Sequence, residues 1–275
     1  MKEQEVIGVF DSGVGGLSVW QEIARQLPHE DTLYVADHAH VPYGSRSLAE
    51  VQAFSEAISR FLVDQGAKIV VVACNTASAA ALHHLRQTFP EPPFVGMEPA
   101  VKPAVERTRS GVVGVIATQA TFQGELFASL LERYAGNAEV LTQVCPGLVD
   151  AVEAGALEAP ETDALLRTCL APLIEAGVDQ LVLGCTHYPF LRPAIERIVG
   201  NNIAVIDPAP AVARQAGHLL ARKGLEAVRD SPGRHRFYTS GDAATFREMI
   251  KRLLPAHGEQ SEVRKAIWRG ESLEG

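Results

Sequence analysis

The pattern that most restricts this chain is a regular alternation of short β-branched runs with longer segments of helical spacing. The runs at residues 6–10, 32–35, 68–72, 112–116, 180–183 and 203–206 are apolar on both faces, as strands covered by helices on either side must be. Between them, 48–63, 77–86, 122–134 and 165–176 repeat their apolar residues at helical intervals. Parallel strands need a crossover, and a helix is the compact way to make one. The alternation therefore predicts an α/β fold with mainly parallel sheets.

A faint internal repeat sharpens this. The strand–cysteine–helix pattern occurs twice, as IVVVACNTASAAAL around Cys74 and QLVLGCTHYPFLR around Cys185. IGVFDSG is echoed by VGVIATQ, and VGMEPAV by VIDPAPAV, in the same order and at an offset of about 110 residues. The 275 residues allow one large domain or two small ones at about 150 residues each, and three ordered pairs favour two similar α/β halves. The proline-containing stretches 98–103 and 207–210 are natural crossing points. They predict one domain of residues 1–98 plus 209–275, with the last helices packing back on it, and a second of residues 99–208.

Composition narrows the function. A net charge of −8 argues against a nucleic-acid-binding surface, which needs clustered Lys and Arg. No apolar run approaches the ~20 residues of a membrane span, and the start MKEQEVIGVF carries acids where a secretory signal carries bases. The four cysteines, at 74, 145, 169 and 185, form no CxxC pair, which predicts free thiols in a reducing cytoplasm. A small-molecule substrate is expected.

In a parallel sheet, ligands bind beyond the carboxyl ends of the strands. Five motifs fall there: Asp11-Ser12-Gly13-Val14-Gly15-Gly16, Asp37, Pro42-Tyr43-Gly44-Ser45, Cys74-Asn75-Thr76 and Cys185-Thr186-His187. A helix start favours a thiolate, so both strand-end cysteines are expected to have a lowered pKa. A single cysteine beside a strand is ordinarily a small buried apolar residue, but two at matched places in a repeat point to function. Cys145 and Cys169 lack that setting and read as structural. The glycine turn lacks the Lys-Ser or Lys-Thr of a phosphate loop and is better suited to bring N–H groups near a carboxylate. Asp11 is either a helix cap or a catalytic acid. His38, His40, His83 and His84 have no metal-ligand spacing, so no metal site is expected. His187, two residues after Cys185, can exchange a proton.

FDSGVGGLSV, VPYGSR, ACNTASA and GCTHYPFL, in this order and spacing, resemble the glutamate racemases of the aspartate/glutamate racemase superfamily, from about residue 6 to 207. One segment departs: ADHAHVPYG has His38 and His40 where a small or hydroxyl residue and an arginine are expected. The resemblance implies a cofactor-independent interconversion of L- and D-glutamate in a cleft between the halves, supplying D-glutamate for peptidoglycan, by a homodimer. It implies that Cys74 and Cys185 are the two acid/base thiols, Cys74 acting first on D-glutamate and Cys185 on L-glutamate. Asp11 would assist Cys74; His187 and Glu153 would assist Cys185, although Glu153 in DAVEAG reads equally as a helix-surface acid. Ser12, Tyr43, Gly44, Asn75, Thr76 and Thr186 would hold the substrate, with Asp37 near the same region. The rivals are a racemase of aspartate or a hydantoin and a binding protein that has lost the chemistry. Intact Cys74, Cys185, Asp11 and His187 speak against the second.

Overall fold

Six parallel strands and four parallel strands form two separate sheets in the computed structural model, which describes residues 5–257 and 262–275. The chain begins with β1 (Val6–Asp11), α1 (Leu17–Gln26), β2 (Thr32–Ala36), α2 (Leu48–Asp64), β3 (Ala67–Val72), α3 (Asn75–Thr88) and β4 (Phe94–Val95). The middle holds α4 (Val101–Arg107), β5 (Val112–Ala117), α5 (Gln119–Gln123), α6 (Glu125–Tyr134), β6 (Glu139–Val144), α7 (Leu148–Glu153), α8 (Pro160–Glu175), β7 (Gln180–Gly184), α9 (Arg192–Val199) and β8 (Ala204–Ile206). The tail adds α10 (Ala209–Lys223), β9 (His235–Thr239), α11 (Ala243–Leu253), β10 (Glu262–Lys265) and an antiparallel hairpin, β11 (Ile267–Arg269) and β12 (Ser272–Glu274).

The first sheet runs β10-β9-β2-β1-β3-β4 and the second β6-β5-β7-β8. Strip β9 and β10 from the first and the two orders are the same, so the repeat read from the sequence is a repeat of topology. Gly8 and Gly114 show why it persists. Each sits in the central strand, paired on both sides, Gly8 with Leu33 and Val70 and Gly114 with Leu141 and Leu181. A Cβ at Gly8 would lie 3.3 Å from Leu62 of α2, and one at Gly114 would lie 3.1 Å from Leu173 of α8. The missing side chains let a covering helix press a leucine onto the sheet.

All six expected strands are present, and the helices begin where local chemistry allows. Ser47 caps α2 in a reciprocal capping box with Glu50, worth about 1 kcal/mol. The helix expected at 122–134 is instead two, broken at Gly124, where a Cβ would come within 2.7 Å of Ala79 in α3. The tail was expected to return as helices. α10 does pack on α1, but β9 also adds itself in parallel beside β2, and β10 beside β9.

The expectation of four free thiols is corrected. Cys145, just after β6, and Cys169, in α8, are joined by a disulfide with Cα atoms 5.5 Å apart, because α8 packs across β6. Cys74 and Cys185 are free and buried. Among the described residues no helix is long and apolar enough to cross a membrane.

Candidate active site

β1 ends on Asp11, which is fully buried. Its Oδ2 accepts the N–H of Gly16 at 2.8 Å and of Gly13 at 3.3 Å, so it shapes the glycine turn as a capping residue would. Its Oδ1 is buried with no hydrogen-bond partner, and the carboxyl interacts with the Cys74 thiol. The capping reading of Asp11 is met by Oδ2, which leaves Oδ1 without a partner. The Tyr34 hydroxyl donates to Gly13 O at 2.7 Å and pins the turn from below.

The glycines of this turn are required by what approaches from the other sheet. A Cβ at Gly13 would collide with the Glu153 carboxylate, and one at Gly15 with the His187 ring. Val14 N–H donates to Glu153 Oε1 at 2.8 Å, and the Ser18 hydroxyl to Thr186 O at 3.0 Å.

β3 leads to Cys74, the N-cap of α3, whose Sγ accepts Ala77 N–H at 3.5 Å. Asn75, next to it, has both side-chain amide atoms buried and unpartnered, an expensive state that a ligand's polar groups would relieve. Thr76 Oγ1 lies 2.9 Å from Thr118 Oγ1. On the other side, β7 leads to Cys185, followed not by an α-helix but by a 3₁₀ turn, Tyr188–Leu191, before α9. Cys185 Sγ lies 3.7 Å from His187 Nδ1, and His187 Nε2 lies 2.7 Å from Glu153 Oε1 at the end of α7.

Both thiols line one cavity, with Ser12, Tyr43, Gly44, Asn75, Thr76, Thr118, Thr186 and His187. Its volume, about 20 Å³, holds little more than one water. Larger cavities of about 510, 840 and 680 Å³ lie on the surface and touch neither thiol. Asp11 and Glu153 stand behind the lining rather than in it. The Tyr43 hydroxyl donates to Asp37 Oδ2 at 2.7 Å and is engaged before any ligand arrives. Asp37, fully buried, also meets His40 and accepts from Ser240 and Trp268. It builds the wall behind Tyr43.

The electrostatics of the two sides differ. Burial, reinforced by the Asp11 carboxylate, pushes the Cys74 thiol well up, the reverse of the lowering expected from its place at a helix start. Full desolvation outweighs the partial charge of the helix end. Burial also raises Asp11, against the opposing pull of His187 and the Gly16 N–H. For His187, burial disfavours the charge, but the Cys185 sulfur and Glu153 carboxylate outweigh it and lift the imidazole well above its ordinary 6.5. Burial likewise opposes ionisation of Glu153, and hydrogen bonds from His187 and His38 overcome it, holding the acid well below the usual carboxylate range. Buried His187 and partly buried Glu153 thus pair next to Cys185.

Thr118 was not anticipated. The signal was present: aligning VGVIATQ on IGVFDSG sets Thr118 on Ser12 and Ala117 on Asp11. His83 is exposed and His84 bonds Glu56, away from the site.

Two free thiols on equivalent strand ends of a duplicated α/β fold thus line one small cavity, Cys74 beside the Asp11 carboxyl and Cys185 beside His187. The chain belongs to the Asp/Glu/Hydantoin racemase family, whose profile matches residues 7–216. It is 52% identical to a glutamate racemase of Roseiflexus sp. (strain RS-1), over 90% of this chain and 91% of that one. The structure resembles that of a glutamate racemase from Bacillus anthracis (TM-score 0.88, 35% identity, 98% and 99% of the chains). It also resembles that of the Francisella tularensis glutamate racemase in complex with D-glutamate (TM-score 0.82, 30% identity, 95% and 98%).

Proposed function

We propose that this protein interconverts L- and D-glutamate without a cofactor, using Cys74 and Cys185 as bases on opposite faces of the α-carbon. The observation that carries the reading is that the two free cysteines, one per repeat, line the same cavity. One thiolate takes the α-proton as the C–H bond breaks, and the electron pair passes into the α-carboxylate. The other thiol then delivers its proton to the opposite face, leaving the protonation of the two sulfurs exchanged. Without an electron sink, the carbanion relies on fixed hydrogen-bond donors in a site that excludes water. Ser12, Asn75, Thr76, Thr118 and Thr186 are suited to that task.

The charge pattern supports the direction assigned by resemblance. Burial beside Asp11 keeps Cys74 a thiol, the form needed to protonate the intermediate derived from L-glutamate. On the other side, His187, held cationic by Glu153, sits against the Cys185 sulfur. From D-glutamate, Asp11, its carboxyl raised by burial, takes the Cys74 proton and releases the thiolate.

A cavity of about 20 Å³ is too small for glutamate, so we assign substrate entry to a parting of two units, residues 1–98 plus 209–275 and 99–208. The product serves bacterial peptidoglycan. We assign the enzyme to the cytoplasm, where Cys74 and Cys185 stay reduced, while Cys145 and Cys169 are buried away from the thiol pool.

The test is incubation of each glutamate enantiomer in D₂O with wild type, Cys74→Ala and Cys185→Ala, following α-deuterium and optical rotation. Each single variant is expected to lose racemisation. Wild-type rates in either would sink the two-base assignment, and exchange of aspartate but not glutamate would sink the substrate.

A further inference from the structure

One side chain in the neighbourhood of Cys185 has no part in the reading above, on which this inference rests. His38 follows β2, in the first sheet's half of the chain, with its side chain 18% exposed. Its Nε2 lies 3.3 Å from Glu153 Oε2, and its Nδ1 lies 2.7 Å from Thr239 Oγ1 at the end of β9. Thr239 is fully buried and its oxygen already accepts Gly241 N–H at 3.0 Å. An ionised carboxylate only accepts, so Nε2, which faces it, carries the proton, and in the neutral ring Nδ1 is then the acceptor of the Thr239 hydroxyl. The ring is fixed from the side by Phe246, 5.0 Å away in an edge contact. Gly241 makes room for it, since a Cβ there would lie 2.8 Å from His38 Cβ.

Glu153 comes from the other sheet's half. One of its oxygens serves His187, at 2.7 Å, and Val14 N–H, at 2.8 Å. The second meets His38. A carboxylate held by one oxygen can still turn about its terminal bond, whereas one held by both oxygens has its plane set. We propose that His38 is a positioning residue that fixes the Glu153 carboxylate across the cleft, and through it aims His187 at Cys185, so that the Cys185 side is assembled only when the two halves are closed. Thr239 acts as the backing that selects the His38 tautomer. The Cys74 side has no counterpart, because its acid, Asp11, belongs to the same half as its thiol.

Two near-isosteric variants isolate the contact. His38→Asn keeps a polar group near Thr239 but is too short to reach Glu153. His38→Gln extends an amide N–H to the Nε2 position. The enantiomers have equal free energy, so kcat/KM must fall equally from both sides, and the asymmetry has to be read as α-deuterium isotope effects on kcat/KM. We expect His38→Asn to lower kcat/KM about tenfold, the lower end for a hydrogen bond to a charged group at this length. The isotope effect should rise with L-[2-²H]glutamate, where Cys185 removes the label, and fall with D-[2-²H]glutamate. His38→Gln should stay within about threefold of wild type, roughly half the free energy of that loss. The inference is overturned if His38→Asn keeps a rate within twofold of wild type, if both isotope effects move together, or if Gln rescues no better than Asn. Racemisation by Cys185→Ala at the wild-type rate would instead overturn the two-cysteine reading and this inference with it.

Discussion

Cys74 and Cys185 stand at equivalent strand ends of one duplicated fold, yet their surroundings are built differently. Behind Cys74 is a single carboxyl, Asp11, from the neighbouring strand of the same sheet. At the matching place in the second repeat stands Ala117, and the ionisable neighbour of Cys185 arrives by another route. It is the next turn's His187, backed by Glu153, whose carboxylate is held in part by Val14 and His38 across the cleft. Duplication thus delivers two thiols to one cavity by symmetry, while the ionisable groups beside them differ. Under the proposed two-base reaction, the Cys74 side would be complete within its own half and the Cys185 side completed by contact between halves.

The largest expected effects come from removing the partners themselves. Asp11→Asn and His187→Asn should each lower kcat/KM by about 10²–10⁴-fold, the usual range for positioned acid–base groups. They should do so with opposite isotope signatures: Asp11→Asn raises the α-deuterium effect with D-glutamate, His187→Asn with L-glutamate. Both variants raising the effect for the same enantiomer would break the comparison.

Next comes the interface. Gly15→Ala sets a methyl against His187 and should cost about 1–3 kcal/mol of the closed arrangement, a drop of roughly 5–150-fold in kcat/KM. The unfolding midpoint should change little, because the clash vanishes when the halves part. A large loss of stability with unchanged kinetics would show instead that the turn matters to folding rather than closure.

Thr118→Val tests the wall the two halves share. It removes the Thr76–Thr118 contact and the cap that Thr118 gives α5 through Thr121 but no acid or base, so a loss of about tenfold or less in kcat/KM and about 1 kcal/mol of stability from the cap are expected, with isotope effects for the two enantiomers kept in their wild-type ratio. A change in that ratio would assign Thr118 to one thiol.

The smallest effect is on stability against pH. His187 is raised above its unfolded value of 6.5, so its contribution is complete below 6.5 and is lost as pH climbs through the folded value. Glu153 is depressed below 4.5, so its contribution is present above 4.5 and is lost as pH falls through the folded value. Thermal midpoints of wild type should therefore exceed those of His187→Asn most between about pH 4.5 and 6.5, with the gap closing on the alkaline side. A gap that widened above pH 8 would contradict the assigned ion pair.

Much of this site was legible in the chain. Strand-end positions in a parallel sheet are where ligands bind, so apolar runs ending in Cys74 and Cys185 mark the thiols in the sequence itself. The strands that the periodicity does not show lack a two-sided apolar run of four or more residues. β6 reads Glu139–Val144 and lies half-exposed at an edge, β9 opens on His and Arg, β10 alternates charge with one buried Val, and β4, although apolar, has only two residues. Glu153 could not be separated from a surface acid, because its helix carries no sign of what it faces. His38 looked like a departure at the rim for the same reason.

The amino-acid order determined, by itself, the alternation, the repeat and hence two thiols at equivalent strand ends, because periodicity and covering helices are local in their causes. Only the tertiary structure decided what each thiol meets. Burial that raises Cys74, the joining of Cys145 to Cys169 and the His38–Glu153–His187 contacts all depend on packing between segments far apart in the chain. Desolvation and hydrogen bonding act at distances of a few ångströms, and sequence separation does not report those distances.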